Sequence, residues 1–214
     1  MSLFAILIAL PFGLSVAIYM SEVANSRIRN LLKPIIELLS GIPSVVYGFF
    51  GLIVIVPFIQ KVFNLPVGES GLAGSIVLAI MALPTIITVT EDAMRNCPRA
   101  MREASLALGA SQWQTIYKVV IPYSVSGITS GVVLGIGRAI GETMAVLMVT
   151  GNAAVIPHTI LEPLRTIPAT IAAELGEAPA GGAHYEALFL LGVVLFFISL
   201  LINFTVEAVS ARNR

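Results

Sequence analysis

Five long stretches with almost no charged side chains decide what this chain can fold into. They cover residues 1–21, 38–60, 71–90, 119–150 and 187–206, and charge occurs only in the fourth, at Arg138 and Glu142. A helix that crosses a bilayer needs about 20 mainly apolar residues. Of the 214 residues, 11% are charged, against roughly 25% in a soluble domain. The sequence therefore predicts one transmembrane domain over residues 1–214, an all-α polytopic helical bundle with five spans.

The basic residues predict how the spans are oriented. Nine lie in the connection 21–37, in the connection 91–118 or at the C-terminus, and two lie in the other connections, at Lys61 and Arg165. Because basic loops stay on the cytoplasmic side, we expect a cytoplasmic C-terminus, a cytoplasmic loop at 91–121 and an outer loop at 151–186. Five spans then place Met1 outside, so we expect a further preceding span in the full-length protein.

The cytoplasmic loop has the signals of a built structure. Pro98 suits the first turn of a helix, and Gly109 suits the position just past its end. Ser111 followed by Gln114 three residues later is a capping box, which predicts the start of a second helix. The loop therefore reads as helix, glycine break, helix. Two roles stay open from the residues alone: an amphipathic hairpin at the lipid headgroups, or a docking segment for a partner.

The spacing of this loop resembles a known signature. Glu103-Ala104-Ser105, three residues, Gly109, nine residues and then residues 119–122 (VVIP) follow the EAA-x3-G-x9-I-x-L-P pattern of ABC-importer permeases. Ser replaces the third residue, Val the Ile and Ile the Leu. In that family the segment inserts into a cleft of the cytoplasmic ATPase. The resemblance implies that Glu103, Ala104, Ser105 and Gly109 couple this chain to an ATPase.

Two further stretches narrow the resemblance. Residues 21–52, which contain GIPSVVYG, and residues 137–152, which contain GRAIGETMAV, are similar to PstC-type subunits of phosphate ABC importers. The resemblance implies a type I importer permease of normally six spans, which forms part of the path for inorganic phosphate uptake in a bacterial or archaeal plasma (inner) membrane. It also implies four partners: a second homologous permease, a cytoplasmic ATPase dimer, a periplasmic phosphate-binding protein and membrane lipid. We expect no nucleic acid, no enzymatic activity and no cofactor on this chain, because ATP and Mg would bind the ATPase.

Small residues define one face of the fourth span. Gly127, Gly131 and Gly135 form a G-x3-G-x3-G ridge, which is typical of close helix packing in membranes and needs a facing helix. Steps of three and four residues along the same face reach Arg138 and then Glu142. The sequence therefore predicts that both charges lie on the closely packed face and not towards lipid.

Three interpretations of the charged pair stay open. Arg138 could pair with Glu142 for structure alone, although this order is the poorer one for an intrahelical pair. Arg138 could extend to the outer headgroups. Both residues could instead line an aqueous path in which Arg138 meets the anion, as is usual for ionisable groups inside membranes. We favour the path, in which Glu142 orients Arg138.

Other function classes lack their signatures. No H-E-x-x-H or G-x-S-x-G pattern supports an intramembrane hydrolase, and the EAA-like loop argues against a channel subunit. A single cysteine, Cys97, and two distant histidines give no metal-ligand spacing. No G-x4-G-K-[ST] loop is present, so we expect ATP hydrolysis elsewhere. A permease for sulfate, molybdate or tungstate is the realistic alternative, because residue chemistry alone does not separate these anions.

Overall fold

The structure is a computed structural model that describes residues 1–212. This part of the chain is helical, with one isolated β-bridge between Gly151 and Leu164. The helices are α1 (Ser2–Ile18), α2 (Ser26–Gly41), α3 (Ser44–Phe50), α4 (Val56–Phe63), α5 (Gly71–Arg95), α6 (Arg99–Ala107), α7 (Gln112–Thr115), α8 (Ile121–Gly141), α9 (Met144–Val149), α10 (Ile167–Glu174) and α11 (Ala183–Arg212).

Three π-helical turns extend or join these helices. Tyr19–Val23 continues α1, Gly51–Ile55 joins α3 to α4, and Ile116–Val120 joins α7 to α8. Within residues 1–212, five helical segments are long and apolar enough to cross a membrane, and they are Ser2–Val23, Ser44–Phe63, Gly71–Arg95, Gln112–Gly141 and Ala183–Phe204. The predicted all-α fold with five spans is confirmed for the described part of the chain.

The second span begins later than the sequence suggested. We expected it from residue 38, but α2 continues to Gly41 and the span starts at Ser44. Ile42 precedes a proline, which disfavours helical backbone there, and Pro43 is itself extended, with φ −58° and ψ 141°. The break between α2 and the second span is therefore fixed by a single X-Pro step.

The fourth span was predicted to continue to residue 150, and this is wrong. Helix α8 ends at Gly141, and α9 begins at Met144. The Glu142 carboxylate accepts hydrogen bonds from the backbone N–H groups of Thr143 (3.1 Å) and Ala145 (3.3 Å). These bonds satisfy amides that a new helix leaves unpaired, and the preceding glycine is a weak helix former. Arg138 and Glu142 therefore do not share one continuous helical face.

The connections also differ from their predicted bounds. Helix α5 continues to Arg95, and the fourth span begins at Gln112. The connection between the third and fourth spans is therefore shorter than the loop expected over 91–121. The connection expected over 151–186 contains α10 and ends where α11 begins at Ala183. Arg214, one of the basic residues used for orientation, lies outside the described residues.

The chain forms two compact units. The first comprises Met1–Ile8, Ile42–Ala82 and Ile136–Ile202. Its core contains side chains from α3, α4, α5 and α9, together with Ile55 of the π-helical turn that joins α3 to α4. The buried members are Tyr47, Ile55, Val56, Ile59, Ala73, Val77, Met81, Ala145 and Val149.

The second unit comprises Ala9–Gly41, Leu83–Gly135 and Asn203–Arg214. Ala17, Met20 and Ile87 are buried where α1 and its π-helical continuation, α2 and α5 pack together. A smaller cluster holds Met94, Cys97 and Val120 near the end of α5. Cys97 precedes the segment that carries α6 and α7 and Val120 follows it, so this cluster lies where the two ends of that segment meet.

Candidate functional site

In the EAA-like segment, residues 98–115, the first helix is followed by a glycine with left-handed backbone conformation. Leu108 closes α6, and Gly109 follows with φ +84°, a conformation that glycine adopts at little cost. The Gly109 N–H donates to the Leu106 carbonyl (2.9 Å), and the Ala110 N–H donates to the Ser105 carbonyl (3.2 Å). These two bonds form a complete Schellman motif. The predicted glycine break is present and is closed by backbone hydrogen bonds.

The second helix of the segment begins with the predicted capping box. The Ser111 Oγ accepts from the Gln114 N–H (3.3 Å), and the Gln114 Oε1 accepts from the Ser111 N–H (2.8 Å). The Ser105 hydroxyl lies 2.9 Å from the hydroxyl of Thr115, which is buried. Ser105, the departure from the family's third alanine, therefore links the two helices of the segment.

An ion pair anchors the EAA-like segment to the end of the first span. Arg102 Nη1 lies 2.6 Å from Glu22 Oε2, and its Nη2 donates to the Met94 carbonyl at 2.7 Å. The Gln112 side chain donates to the backbone carbonyl of Glu22 at 3.0 Å. Sequence analysis did not single out Glu22 or Arg102. The available signal was that Glu22 is the first charged residue after an uncharged run.

Three of the residues that carry the resemblance are exposed. Glu103, Ala104 and Gly109 face solvent, and the side chain of Leu108 is 90% exposed. A methyl group added at Gly109 would meet no atom within 4 Å. Among residues 1–212, the Glu103 carboxylate makes no hydrogen bond or ion pair. The segment is therefore attached to the rest of the second unit through Arg102 and exposes Glu103, Ala104, Leu108 and Gly109.

A second constellation lies in the first unit, where α3 contacts α9. A methyl group at Gly48 would come within 2.9 Å of both the Ala145 Cα and the Met148 sulfur, so the two helices can approach this closely only because residue 48 is glycine. Half-buried Arg138 interacts electrostatically with Tyr47, which is buried. The two stretches that narrowed the resemblance, GIPSVVYG and GRAIGETMAV, thus meet in the fold.

The glycine ridge of α8 faces α5 of the same chain. A methyl group at Gly127 would lie 2.2 Å from the Ala93 Cβ, and one at Gly131 would lie 3.2 Å from the Thr90 hydroxyl. Gly135, the third member, is buried. The facing helix that the ridge needs is therefore supplied within this chain, and the ridge is not evidence for a second permease subunit.

A charged cluster that sequence analysis missed joins α2 to α5. Lys33 Nζ lies 2.7 Å from a carboxylate oxygen of Glu91, a side chain that is 1% exposed, and also pairs with Asp92. Arg95 approaches the other Glu91 oxygen at 3.4 Å. Burial lowers the pKa of Lys33, but the hydrogen bonds and charges of Asp92 and Glu91 outweigh it and raise the pKa above its ordinary value. Lys33 therefore stays protonated.

The family model of the binding-protein-dependent transport system inner membrane component matches residues 9–214. The chain belongs to this family. The permease is 44% identical to the probable ABC transporter permease protein YqgH of Bacillus subtilis over 97% of its own length and 67% of the relative.

Other relatives carry a more specific name. The permease is 39% identical to the phosphate transport system permease protein PstC of Mesorhizobium japonicum, over 94% of this chain and 67% of the relative. It is 36% identical to the PstC protein of Pasteurella multocida, over 92% of this chain and 67% of the relative.

The fold is similar to a solved structure, an inward-facing conformation of the MetNI methionine ABC transporter. The match has a TM-score of 0.71 at 20% identity and covers 100% of this chain and 89% of the other. This similarity supports the type I importer fold.

The predicted site residues of the permease fall into separate places. Glu103, Ala104, Ser105 and Gly109 lie together in the EAA-like segment, in the second unit. Arg138 lies near the end of α8, and Glu142 lies in the break that follows it, in the first unit. No group of three or more His, Cys, Asp or Glu side chains comes together among residues 1–212. Tyr47 is a neighbour of Arg138 that sequence analysis did not name as a site residue.

Proposed function

We propose that this permease forms part of the transmembrane path for inorganic phosphate in an ABC importer. The observation that carries the proposal is the meeting of GIPSVVYG and GRAIGETMAV around Arg138, in a chain whose relatives along nearly its whole length include PstC proteins. A cationic side chain beside a broken helix is a reasonable transient contact for an anion. Selection of phosphate would belong to a separate binding protein, so a weak contact suffices.

The proposed assembly contains a second homologous permease, a dimer of ATPase subunits and an outer phosphate-binding protein. The EAA-like segment supports the ATPase contact, because Glu103, Ala104 and Gly109 are exposed on a segment that is fixed to the chain by Arg102. In this arrangement the segment and the C-terminus face the cytoplasm. The ATPase subunits bind ATP and Mg, and movement of their cleft is passed to the spans through the anchored helix α6.

The proposed roles of the charged residues are distinct. Arg138 contacts the anion in passing, and its planar guanidinium matches phosphate oxygens better than an ammonium does. Glu142 contributes a nearby negative charge that orients Arg138 and helps the anion to leave. Glu142 also accepts hydrogen bonds at the start of α9, so its charge and its capping action need separate tests.

The test is ATP-driven uptake in vesicles that contain the complete complex. Labelled phosphate should be taken up in preference to sulfate, molybdate and tungstate, and omission of the second permease or of the ATPase should abolish uptake. Preferential uptake of another oxyanion would assign the chain to that anion instead. Uptake by this chain without a second permease would contradict the proposed assembly.

Variants at the charged pair test the path itself at matched complex levels. Arg138→Gln should lose most uptake and Arg138→Lys should recover part of it. Glu142→Gln keeps an oxygen that can cap α9 while removing the charge, whereas Glu142→Ala removes both. If Arg138 contacts the anion, a variant with glutamine at both positions stays inactive. Uptake at the wild-type level by this double variant would mean that the pair is structural.

A further inference from the structure

A small cavity with four arginines lies in the second unit, and Arg138 does not line it. It has a volume of about 280 Å³ and is lined by Ser21, Arg29, Arg95, Cys97, Arg99 and Arg102. These residues come from the π-helical end of the first span, from α2, from the end of α5 and from the start of α6. The cavity therefore lies where four helical segments converge beside the EAA-like segment.

The positive charge of this cavity is only partly balanced. Arg102 pairs with Glu22, and Arg95 pairs with Glu91, which also receives Lys33. Among residues 1–212, the guanidinium groups of Arg29 and Arg99 make no hydrogen bond or ion pair. Two of the four arginines thus have no carboxylate partner in the part of the chain that the structure describes.

Arg102, a residue that lines the cavity, carries one buried nitrogen without a partner. The Nε of Arg102 has no hydrogen-bond acceptor within residues 1–212, although both terminal nitrogens of the same side chain are bonded. A buried donor without an acceptor costs free energy. A negatively charged group that enters the cavity would balance the charge of Arg29 and Arg99, which line it.

We propose that this cavity binds a phosphate group, either as a free phosphate ion or as the headgroup of an anionic phospholipid. Guanidinium groups bind phosphate through paired, charge-assisted hydrogen bonds, and the Ser21 hydroxyl adds a further polar group to the wall. The volume is just below the roughly 300–1,000 Å³ of ordinary ligand pockets, which fits a single phosphate group. This inference does not depend on which anion the permease transports.

Binding would act on the segment that we assign to the ATPase contact. Arg99 is the first residue of α6, and Arg102 lies one turn further along the same helix. An anion held by these two residues, by Arg29 of α2 and by Arg95 of α5 would fix the start of α6 to both neighbouring helices. We therefore expect phosphate at this site to stabilise the complex against heat, because a ligand that binds the folded state alone stabilises it.

The test uses the complex of this permease with its second permease and ATPase subunits, without a binding protein. It is carried out with Arg138→Gln throughout, so that the proposed transport path does not contribute. Inorganic phosphate is titrated in phosphatidylcholine nanodiscs, and retention of phosphatidylglycerol is measured by native mass spectrometry in nanodiscs that contain it. Saturable binding in the first arm identifies a free ion, and selective retention in the second identifies a headgroup.

The variants Arg29→Gln and Arg99→Gln should each weaken binding about tenfold, which corresponds to about 1.4 kcal/mol. Arg27→Gln is the matched control, because Arg27 is exposed on the same helix as Arg29 but does not line the cavity, and it should leave binding unchanged. Arg29→Lys retains the charge and should recover part of the affinity. Size-exclusion profiles identify complexes that remain assembled.

Three results would overturn the proposal. The first is the absence of saturable binding in both arms with an assembled complex. The second is an equal loss in Arg27→Gln, which would reduce the effect to overall charge. The third is that the Arg29 and Arg99 variants lose the ATPase subunit while the unsubstituted complex binds no phosphate. The arginines would then be a contact for acidic side chains of that subunit.

Discussion

The contact between Gly127 and Ala93 allows a sharp test of how α8 is held against α5. In Gly127→Ala, the new methyl group would lie 2.2 Å from the Ala93 Cβ, whereas carbon atoms in contact are about 3.5–4.0 Å apart. The helices would have to separate by more than about 1 Å. A contact this short belongs at the upper end of the roughly 1–3 kcal/mol that overpacking costs, and alanine regains about 1 kcal/mol of helix propensity over glycine. We expect a net loss of about 2 kcal/mol.

The same helix provides the control. A methyl group at Gly137 meets no atom within 4 Å, so Gly137→Ala should be neutral or should gain up to about 1 kcal/mol from helix propensity. The free energy of unfolding is measured for both variants in mixed micelles. Trp113, the single tryptophan, is a built-in fluorescence probe on α7 of the second unit.

A compensating substitution tests the cause. In the double variant Gly127→Ala with Ala93→Gly, the nearest remaining atom to the new methyl group is the residue 93 Cα at 3.5 Å, an ordinary contact. Ala93→Gly alone should lose about 1 kcal/mol through helix propensity. The double variant should return close to the wild type, which gives a coupling energy of about 3 kcal/mol by the double-mutant cycle. Equal stability of Gly127→Ala and Gly137→Ala, or additive losses in the cycle, would refute this account.

Three further predictions concern local features. Gly109→Ala places a side chain at φ +84°, so it should cost about 1–2 kcal/mol of stability and should reduce the stimulation of ATP hydrolysis by the binding protein. Gly109→Asn should retain more of this stimulation than Gly109→Ala. Unchanged stimulation in Gly109→Ala would show that this glycine has no part in coupling. Ser111→Ala removes the capping box and should cost about 1 kcal/mol, seen as faster hydrogen exchange in α7, with unchanged exchange as the contrary result. Lys33→Met leaves buried Glu91 with Arg95 alone and should cost about 3 kcal/mol at neutral pH. Because the pKa of Lys33 is raised, the stabilisation by this ion pair is complete below the ordinary lysine pKa of about 10.4 and is lost as the pH rises through the higher folded value. An equal cost of the substitution at more alkaline pH would contradict the ion-pair explanation.

The features that the sequence predicted well are local ones. The capping box at Ser111 and the left-handed break at Gly109 depend on residues within five positions of each other, and the structure has both. The number of spans depends on length and hydropathy, which packing does not alter. Pro98 was expected inside the first turn of α6 and lies one residue before the helix, at the N-cap.

The features that the sequence did not predict depend on contacts between distant residues. The partner of the glycine ridge is α5, and nothing in the spacing of Gly127 and Gly131 distinguishes a helix of the same chain from one of another subunit. The anchor between Glu22 and Arg102 joins residues 80 positions apart. The Lys33–Glu91 pair was missed because α5 continues past the uncharged stretch and carries Glu91 inside the helix.

The break at Glu142 changes how its charge can act on Arg138. On a continuous helix the two side chains would be one turn apart, and the simplest role for Glu142 would be a fixed counter-ion. In the structure the carboxylate accepts hydrogen bonds from the N–H groups of Thr143 and Ala145, which fix it at the start of α9. Since α9 packs on α3, which carries Tyr47, a movement between these helices would change the field at Arg138. If Arg138 contacts the anion as we propose, its affinity for the anion would then change during transport.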